Sequence, residues 1–173
     1  YLGQKKFESM MKGTLEDLLS DPQKANQDLI NIMPQCFRRI VIYESISTLL
    51  KQVKYRAAIE AGESALSHFN EDDDVIFNMQ LAIAKAKLKI TSDAQKHLNI
   101  ALKSLNSNKW NLDKDDTRFF MITDMLHTIT QNFDDSDVVS LADFLIKVEK
   151  NNFMALMCKA SASDEKESMK IYN

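Results

Sequence analysis

The sequence predicts an all-α protein, an α-solenoid of stacked antiparallel helical hairpins with about eight or nine helices. One observation is a helical pattern that occurs twice, as YRAAIEAGESALSHFN at 55–70 and as TSDAQKHLNIALKSLN at 91–106. Ala58 aligns with Ala94, an offset of 94 − 58 = 36 residues, which is close to the ~34 residues of a repeated helical hairpin. The other is the scarcity of turn residues, because three Gly and two Pro in 173 residues leave little material for strands and tight turns.

The first 34 residues carry helix-start signals. Apolar side chains recur on one side of residues 2–12. Thr14 begins a capping box that opens a short helix to residue 19. Asp21 followed by Pro22 is a second start signal, for a helix that carries apolar residues as far as Met33. Pro34 either ends this helix or begins the next one.

Two helical hairpins occupy the middle of the chain. Residues 35–52 are apolar at the i, i+3, i+4, i+7 spacing of a helix, and although their β-branched residues would also suit a strand, the length favours a helix. This segment pairs with a helix over 55–69. The second hairpin comprises helices over 75–90 and 93–105, and the acidic residues 71–74 complement the dipole at its start.

The repeat fades after residue 106, but helical spacing continues. Apolar periodicity predicts helices over 117–131, 134–148 and 153–160, and residues 164–172 either form one more helix or fray. We interpret the acidic clusters at 113–116 and 134–137 as helix caps. We find no linker, and therefore expect a single domain over 1–173. Because the first residue is Tyr and not Met, we expect this domain to be a fragment of a longer protein.

The repeated residues resemble the tetratricopeptide repeat (TPR) family, in which each unit of ~34 residues is a pair of antiparallel helices. The family places two small residues seven apart on its second helix, and Ala58 with Ala65 fits that pattern, as does the aromatic Tyr55 before them. The resemblance covers 35–106. Thr91 departs from the aromatic position, the usual Trp and Gly of the first helices are missing, and we assign about two extra residues to the inter-helix turn of the second unit.

Packing explains the small residues independently of the family. Neighbouring helix axes lie ~8–10 Å apart, and their closest crossings need small side chains. We therefore predict that Ala58, Gly62 and Ala65 are buried between helices, and that Ala94 and Ala101 are their counterparts. A single hairpin cannot cover its own apolar face, which favours stacking. The alternative is a compact helical bundle that uses the same Ala stripes.

No constellation of residues points to chemistry. His68, His97 and His127 have no partner at metal-ligand spacing, and Cys36 and Cys158 form no Cys-x-x-Cys pair. The acidic clusters lack the alternating ligands and central Gly of a calcium loop. We therefore expect no enzyme activity, no cofactor and no metal ion. The methionines on apolar helical faces are interpreted as core residues: Met10, Met11, Met121, Met125, Met154 and Met157.

The resemblance implies that the chain binds a peptide or helix in the groove formed by successive first helices of the repeats. We place Tyr43 and Phe77 at comparable, outward positions of two such helices. The predicted partner-binding residues are Tyr43, Ser47, Lys51, Phe77, Asn78, Leu81 and Lys85. This stripe suits a segment with apolar anchors and an acidic group near the lysines. Binding of a chaperone tail is disfavoured, because Tyr43 and Ser47 stand where the family's carboxylate-binding members have Lys and Asn.

The sequence is compatible with two functions. The first is a scaffold or adaptor that binds a protein partner, and the alternative is a purely structural subunit of a permanent multiprotein assembly whose groove is filled internally. A net charge of −3 with scattered basic residues makes nucleic acid an unlikely partner. No apolar run reaches the ~18–20 residues of a membrane span. The two distant cysteines fit a reducing compartment, so we expect the cytoplasm or the nucleus.

Overall fold

The computed structural model describes residues 35–69, 73–107 and 112–163, and these ranges contain seven α-helices and no strand. The all-α prediction is confirmed for this part of the chain, whereas the helix signals before residue 35 and after residue 163 lie outside the described residues. The helices are α1 Gln35–Lys51, α2 Tyr55–Phe69, α3 Val75–Lys87, α4 Thr91–Asn106, α5 Thr117–Thr130, α6 Asp135–Val148 and α7 Phe153–Ala162.

The internal contacts divide the chain into two compact units. The first unit, Tyr1–Asp72, holds α1 and α2, and the second unit, Asp73–Asn173, holds α3 to α7. The expectation of one domain over 1–173 stays a prediction. Both units contain a helical hairpin of the repeated type, α1–α2 in the first and α3–α4 in the second.

The small residues of the second helices are buried, as the sequence predicts. In α2 the buried set contains Ala58, Gly62 and Ala65, and α2 packs against α1. In α4 it contains Ala94 and Ala101, and α4 packs against α3. Side chains this small let the two backbones of a hairpin approach closely.

The turn of the first hairpin is a Schellman motif, in which the last carbonyl groups of a helix accept hydrogen bonds from the chain that follows. The N–H of Val53 donates to the carbonyl of Leu50 at 3.0 Å, and the N–H of Lys54 donates to the carbonyl of Leu49 at 2.9 Å. Val53 sits at the left-handed position of the motif, with φ 63°. Glycine usually occupies this position, because a β-branched side chain strains the backbone there.

The turn of the second hairpin repeats these bonds 36 residues later. Lys89, at φ 65°, donates to the carbonyl of Ala86 at 2.9 Å, and Ile90 donates to the carbonyl of Lys85 at 2.9 Å. This turn ends α3 at Lys87, although apolar residues continue to Ile90 and predicted a longer helix. Because the two turns have equal length, the assignment of extra residues to the inter-helix turn is wrong. The offset is 36 on both sides of the turn.

The second unit is arranged around α3. Eleven consecutive residues of this helix are buried, from Val75 to Lys85, as in a helix that other elements cover on all sides. Within this unit, α3 packs against α4 and α5, and α5 packs against α6 and α7. Contacts also join α4 with α6 and α6 with α7. Each contact therefore connects a helix with the next helix or with the next but one.

Side-chain caps begin three of the helices. Asp74 accepts a hydrogen bond from the N–H of Phe77 at 3.0 Å, and Asp116 accepts one from the N–H of Arg118 at 2.8 Å. Asn152 caps α7 in the same way. Asp134 stands at the N-cap position of α6 but forms no such bond. The interpretation of the acidic clusters as caps is confirmed at Asp74 and Asp116.

Candidate protein-binding face

Most of the stripe predicted to face outward is buried. Tyr43 in the first unit is fully buried, as are Phe77, Asn78 and Leu81 in the second, and Lys85 is 7% exposed. Only Ser47, which is half-buried, and Lys51, which is exposed, have accessible side chains. The outward orientation is therefore wrong for five of the seven residues, and a role in partner binding for this set stays a prediction.

Two physical reasons account for this error. First, α3 is covered around its whole circumference, so its apolar spacing does not distinguish a core stripe from a groove stripe. Second, the comparison of Tyr43 with Phe77 used an offset of 34 residues. The observed offset of 36 makes Met79 the counterpart of Tyr43 and Val41 the counterpart of Phe77.

Asn78 and Lys85 belong instead to a polar chain that joins α3 to α4. The ammonium group of Lys85 lies 3.2 Å from Nε2 of His97, and Nδ1 of His97 lies 2.8 Å from Oδ1 of Asn78. Because an ammonium group can only donate, Nε2 accepts and the proton of the neutral imidazole is on Nδ1. Asn78 then donates to the carbonyl of Asp74 at 2.7 Å. In the sequence, His97 has no partner at metal-ligand spacing, and nothing in its spacing signals this polar chain.

The polar chain fixes how the second hairpin is assembled. It connects the first and last turns of α3 through one residue of α4. Asp93, an exposed residue of the first turn of α4, lies 3.9 Å from the Lys85 ammonium and adds a weak ion pair. Buried polar groups need such partners, because an unsatisfied one costs free energy. We therefore assign Asn78, Lys85 and His97 to the internal structure of the hairpin.

Exposed apolar side chains concentrate on α5 and α7 in the second unit. Phe120 of α5 is 56% exposed. In α7, Phe153 is 70%, Met154 is 40% and Met157 is 42% exposed. Met121 and Met125 are buried, as the sequence predicts, but the interpretation of Met154 and Met157 as core residues is wrong.

The two helices lie side by side and run in the same direction. Nδ2 of Asn152, at the start of α7, lies 3.5 Å from the hydroxyl oxygen of Thr123. Nearly two turns further on, the side chains of Cys158 and Thr130 meet. Because residue numbers rise together along these two contacts, α5 and α7 are parallel neighbours.

Helical spacing places the exposed side chains on one side of this pair. On α5, Phe120 and His127 flank Thr123, the residue that meets α7, at positions three before it and four after it. On α7, Met154 stands four residues before Cys158, which meets α5. We call the resulting surface the α5–α7 face, formed by Phe120, Asp124, His127, Phe153, Met154 and Met157.

The α5–α7 face is almost uncharged. Among the exposed residues of α5 and α7, Asp124 alone carries a full charge. Lys159 is half-buried and lies on another side of α7, where it forms an ion pair with Asp143 of α6 at 2.6 Å. Under the face, burial raises the pKa of the Cys158 thiol, and the Thr130 hydrogen bond opposes this by a smaller amount. The thiol therefore stays protonated near neutral pH and acts as a small apolar group.

Neither a metal centre nor a membrane span occurs within the described residues. No three His, Cys, Asp or Glu side chains there are grouped closely enough to hold a metal ion. The helices of the same ranges are too short or too polar to cross a bilayer. The arrangement on α5 and α7 is suited to contact with another apolar surface.

Comparisons of the chain with protein-family models, with curated proteins and with solved structures return no match. The resemblance to the TPR family therefore depends on the repeated residues themselves.

A sequence signal for the exposed face does exist. Residues 153–158, FMALMC, contain no charged side chain, so they leave no polar side to face solvent. A short helix of this kind is either covered all round or presents an apolar surface. Periodicity alone does not decide between these outcomes, because the decision depends on which neighbours the helix has.

Proposed function

We propose that this chain is a protein-interaction module with a TPR-like architecture, and that it binds a partner helix or peptide on the α5–α7 face. The observation that carries the proposal is the exposure of Phe120, Phe153, Met154 and Met157 on two adjacent parallel helices. Contiguous exposed apolar surface is uncommon on monomeric soluble proteins and marks interaction sites. Flexible methionine side chains suit surfaces that adapt to a partner.

The helix contacts support a stack of hairpins in the second unit. We propose that α3–α4 and α5–α6 are successive hairpins and that α7 begins a third. First helices then contact first helices, as α3 does α5 and α5 does α7, and second helices contact second helices, as α4 does α6. The parallel direction of α5 and α7 agrees with this order. A compact bundle with short connections instead favours antiparallel neighbours.

A specific observation favours the second candidate function for one part of the chain. Phe77, Asn78 and Leu81 of α3 are buried, as expected of a permanent structural subunit whose groove is filled internally. Under the main proposal, the partner therefore binds on α5 and α7, the first helices of the next two hairpins, and not on α3. The candidates differ in exchange: an adaptor releases its partner, whereas a permanent subunit does not.

The experiment that tests the proposal removes the apolar face without disturbing the core. The chain with Phe153→Ser and Met157→Ser is compared with the unchanged chain in capture of proteins from cell extract, measured by quantitative mass spectrometry. Val53→Ser is the matched control, since Val53 is similarly exposed, at 66%, but lies in the turn of the first hairpin. Circular dichroism checks that the helices of each variant persist.

We expect specific proteins to be lost with the double variant and retained with Val53→Ser. If the double variant keeps its helices and captures the same proteins as the unchanged chain, the α5–α7 face is not the binding site and the proposal is wrong. Partners that are captured but do not exchange with added free chain would favour the permanent structural subunit.

A further inference from the structure

We infer that the partner is an amphipathic α-helix that carries a Lys or Arg beside its apolar stripe, and that Asp124 receives this cation. The inference rests on the proposed function and adds the chemical class of the partner. It depends on the position of one charge within the α5–α7 face.

The shape of the face fits a helix. Two parallel helices leave a shallow groove between them, and a third helix packs into such a groove at ~8–10 Å from its neighbours. On α7, the apolar side chains from Phe153 to Met157 span about one turn. Phe120 stands on α5 three residues before Thr123, which lies level with the start of α7, and it extends the apolar border by about one more turn. Anchors on one face of a helix recur over the same distance. A peptide that binds as an added β-strand would instead need a sheet edge, and the described ranges contain no strand.

Asp124 determines the charge of the partner. It stands between Phe120 and His127 on α5, four residues after the first and three before the second, so a docked apolar helix covers it. A carboxylate removed from water without a partner is costly, and a like charge opposite it is repelled. A partner that brings a cation avoids both penalties. The geometry therefore selects a Lys or Arg at the border of the partner's apolar stripe.

The carboxylate is not already neutralised by its neighbours. The amide nitrogen of Gln131 lies 3.0 Å from Nε2 of His127. The ring of His127 therefore contacts Gln131, and within the described ranges it forms no ion pair with Asp124. Within the described ranges, no Lys or Arg forms an ion pair with Asp124. The negative charge is available to a partner.

The same charge disfavours two other occupants. A second copy of the chain in a two-fold symmetric contact would bring the Asp124 residues of both copies into one apolar interface, where they repel. An anionic lipid surface would meet a carboxylate and no exposed lysine on α5 or α7.

The test uses two synthetic 18-residue helices with the same leucine stripe, flanked by lysines in one peptide and by glutamates in the other. A hydrocarbon staple on the polar side gives both peptides equal helicity. Binding to the intact chain is measured by fluorescence anisotropy at physiological salt. We expect the lysine peptide to bind about tenfold more tightly, and Asp124→Lys to reverse the order of the two peptides.

Glu60→Lys is the matched control, because Glu60 is exposed on α2 and the substitution changes the net charge equally. It should leave the preference for the lysine peptide unchanged. If Asp124→Lys retains that preference, or if Glu60→Lys abolishes it, the peptide responds to overall charge and the inference is wrong.

The remaining outcomes separate this inference from the proposed function. If both peptides bind equally and Phe153→Ser/Met157→Ser abolishes the binding, the α5–α7 face is a binding site but the requirement for a cation on the partner is wrong. Binding of neither peptide overturns both. If the chain self-associates in analytical sedimentation and the lysine peptide reverses this, the face binds a second copy of the chain. If the chain binds anionic vesicles tightly and Phe153→Ser/Met157→Ser abolishes this binding, the face binds a membrane. Either result overturns the inference.

Discussion

The two repeated hairpins have the same turn geometry but different side chains in their interiors. Both turns have the same pair of hydrogen bonds and a non-glycine residue at positive φ, Val53 in the first and Lys89 in the second. At the offset of 36 residues, the polar chain of the second hairpin corresponds to three fully buried apolar residues of the first. These are Ile42 for Asn78, Leu49 for Lys85 and Ala61 for His97.

This difference shows which residues define the backbone of a hairpin and which fill its interior. The turn bonds and the small residues of the second helix define the hairpin, because they set its backbone path and its close approach. The side chains at the three corresponding positions fill the interior, and either an apolar or a fully hydrogen-bonded polar set does so. Removing one residue of a hydrogen-bonded polar set leaves its buried partners unsatisfied, which is costly. Shortening an apolar side chain instead lowers stability in proportion to the volume removed.

The largest expected effect comes from breaking the polar chain at one residue. His97→Ala leaves the buried Lys85 ammonium without its imidazole acceptor and should lower the free energy of unfolding by about 3 kcal/mol. Urea denaturation of the two chains measures the difference. The triple replacement Asn78→Ile/Lys85→Leu/His97→Ala copies the first hairpin and should restore most of the loss, because an apolar set of similar volume often substitutes for buried polar groups. A triple variant that is less stable than His97→Ala would contradict the equivalence of the hairpins.

The next effect tests the small residues that the hairpins share. Ala65→Leu in α2 and Ala101→Leu in α4 should each destabilise the chain by about 2 kcal/mol, because both sites are fully buried and the larger side chain overpacks the crossing. Ser67→Leu, at an exposed position of α2, controls for the general effect of leucine. Thermal unfolding of all three variants provides the comparison. Unchanged stability in either Ala variant would show that its helices do not meet closely at that residue.

A smaller effect of opposite sign is expected in the turns. Val53→Gly removes a β-branched side chain from the left-handed region and should stabilise the chain by up to about 1 kcal/mol. Lys89→Gly should give a smaller gain, since an unbranched side chain is less strained there. Val53→Ala keeps a Cβ atom and should recover only part of the gain. The difference is again measured by denaturation, and a destabilising Val53→Gly would contradict the turn geometry.

The smallest effect is a pH dependence at the cap of α5. The Arg118 guanidinium, hydrogen-bonded to Asp116, holds the pKa of this carboxyl below its usual range, although partial burial opposes the shift. Because the folded-state pKa is lowered, the charged carboxylate contributes stability above the unfolded-state value of 3.8, and this is lost as the pH falls through the folded value. Asp116→Asn keeps an acceptor for the cap but not the charge. The stability difference between the two chains should be constant from pH 7 to 5 and shrink below pH 4 in acid titrations. A difference that grows below pH 4 would refute the shift.

The helices could be predicted from the sequence, whereas the turn and the site could not. Apolar spacing and cap residues located α2, α5 and α7, because each helix buries one continuous set of side chains. The early end of α3 had no signal, since Lys89 at positive φ does not look like a helix stop. The exposure of Phe120 and Met154 depends on which helices become neighbours in space, and a one-dimensional pattern does not contain that information.

The most direct test of the central claim observes the methionine methyl groups individually. The chain is labelled with 13C at the methionine methyls and titrated with the stapled lysine peptide, and the shifts are followed by NMR. If the α5–α7 face binds a partner helix, Met154 and Met157 shift strongly, while the buried Met121 and Met125 of α5 shift little. Saturating binding that leaves Met154 and Met157 unchanged would place the interface elsewhere and contradict the account.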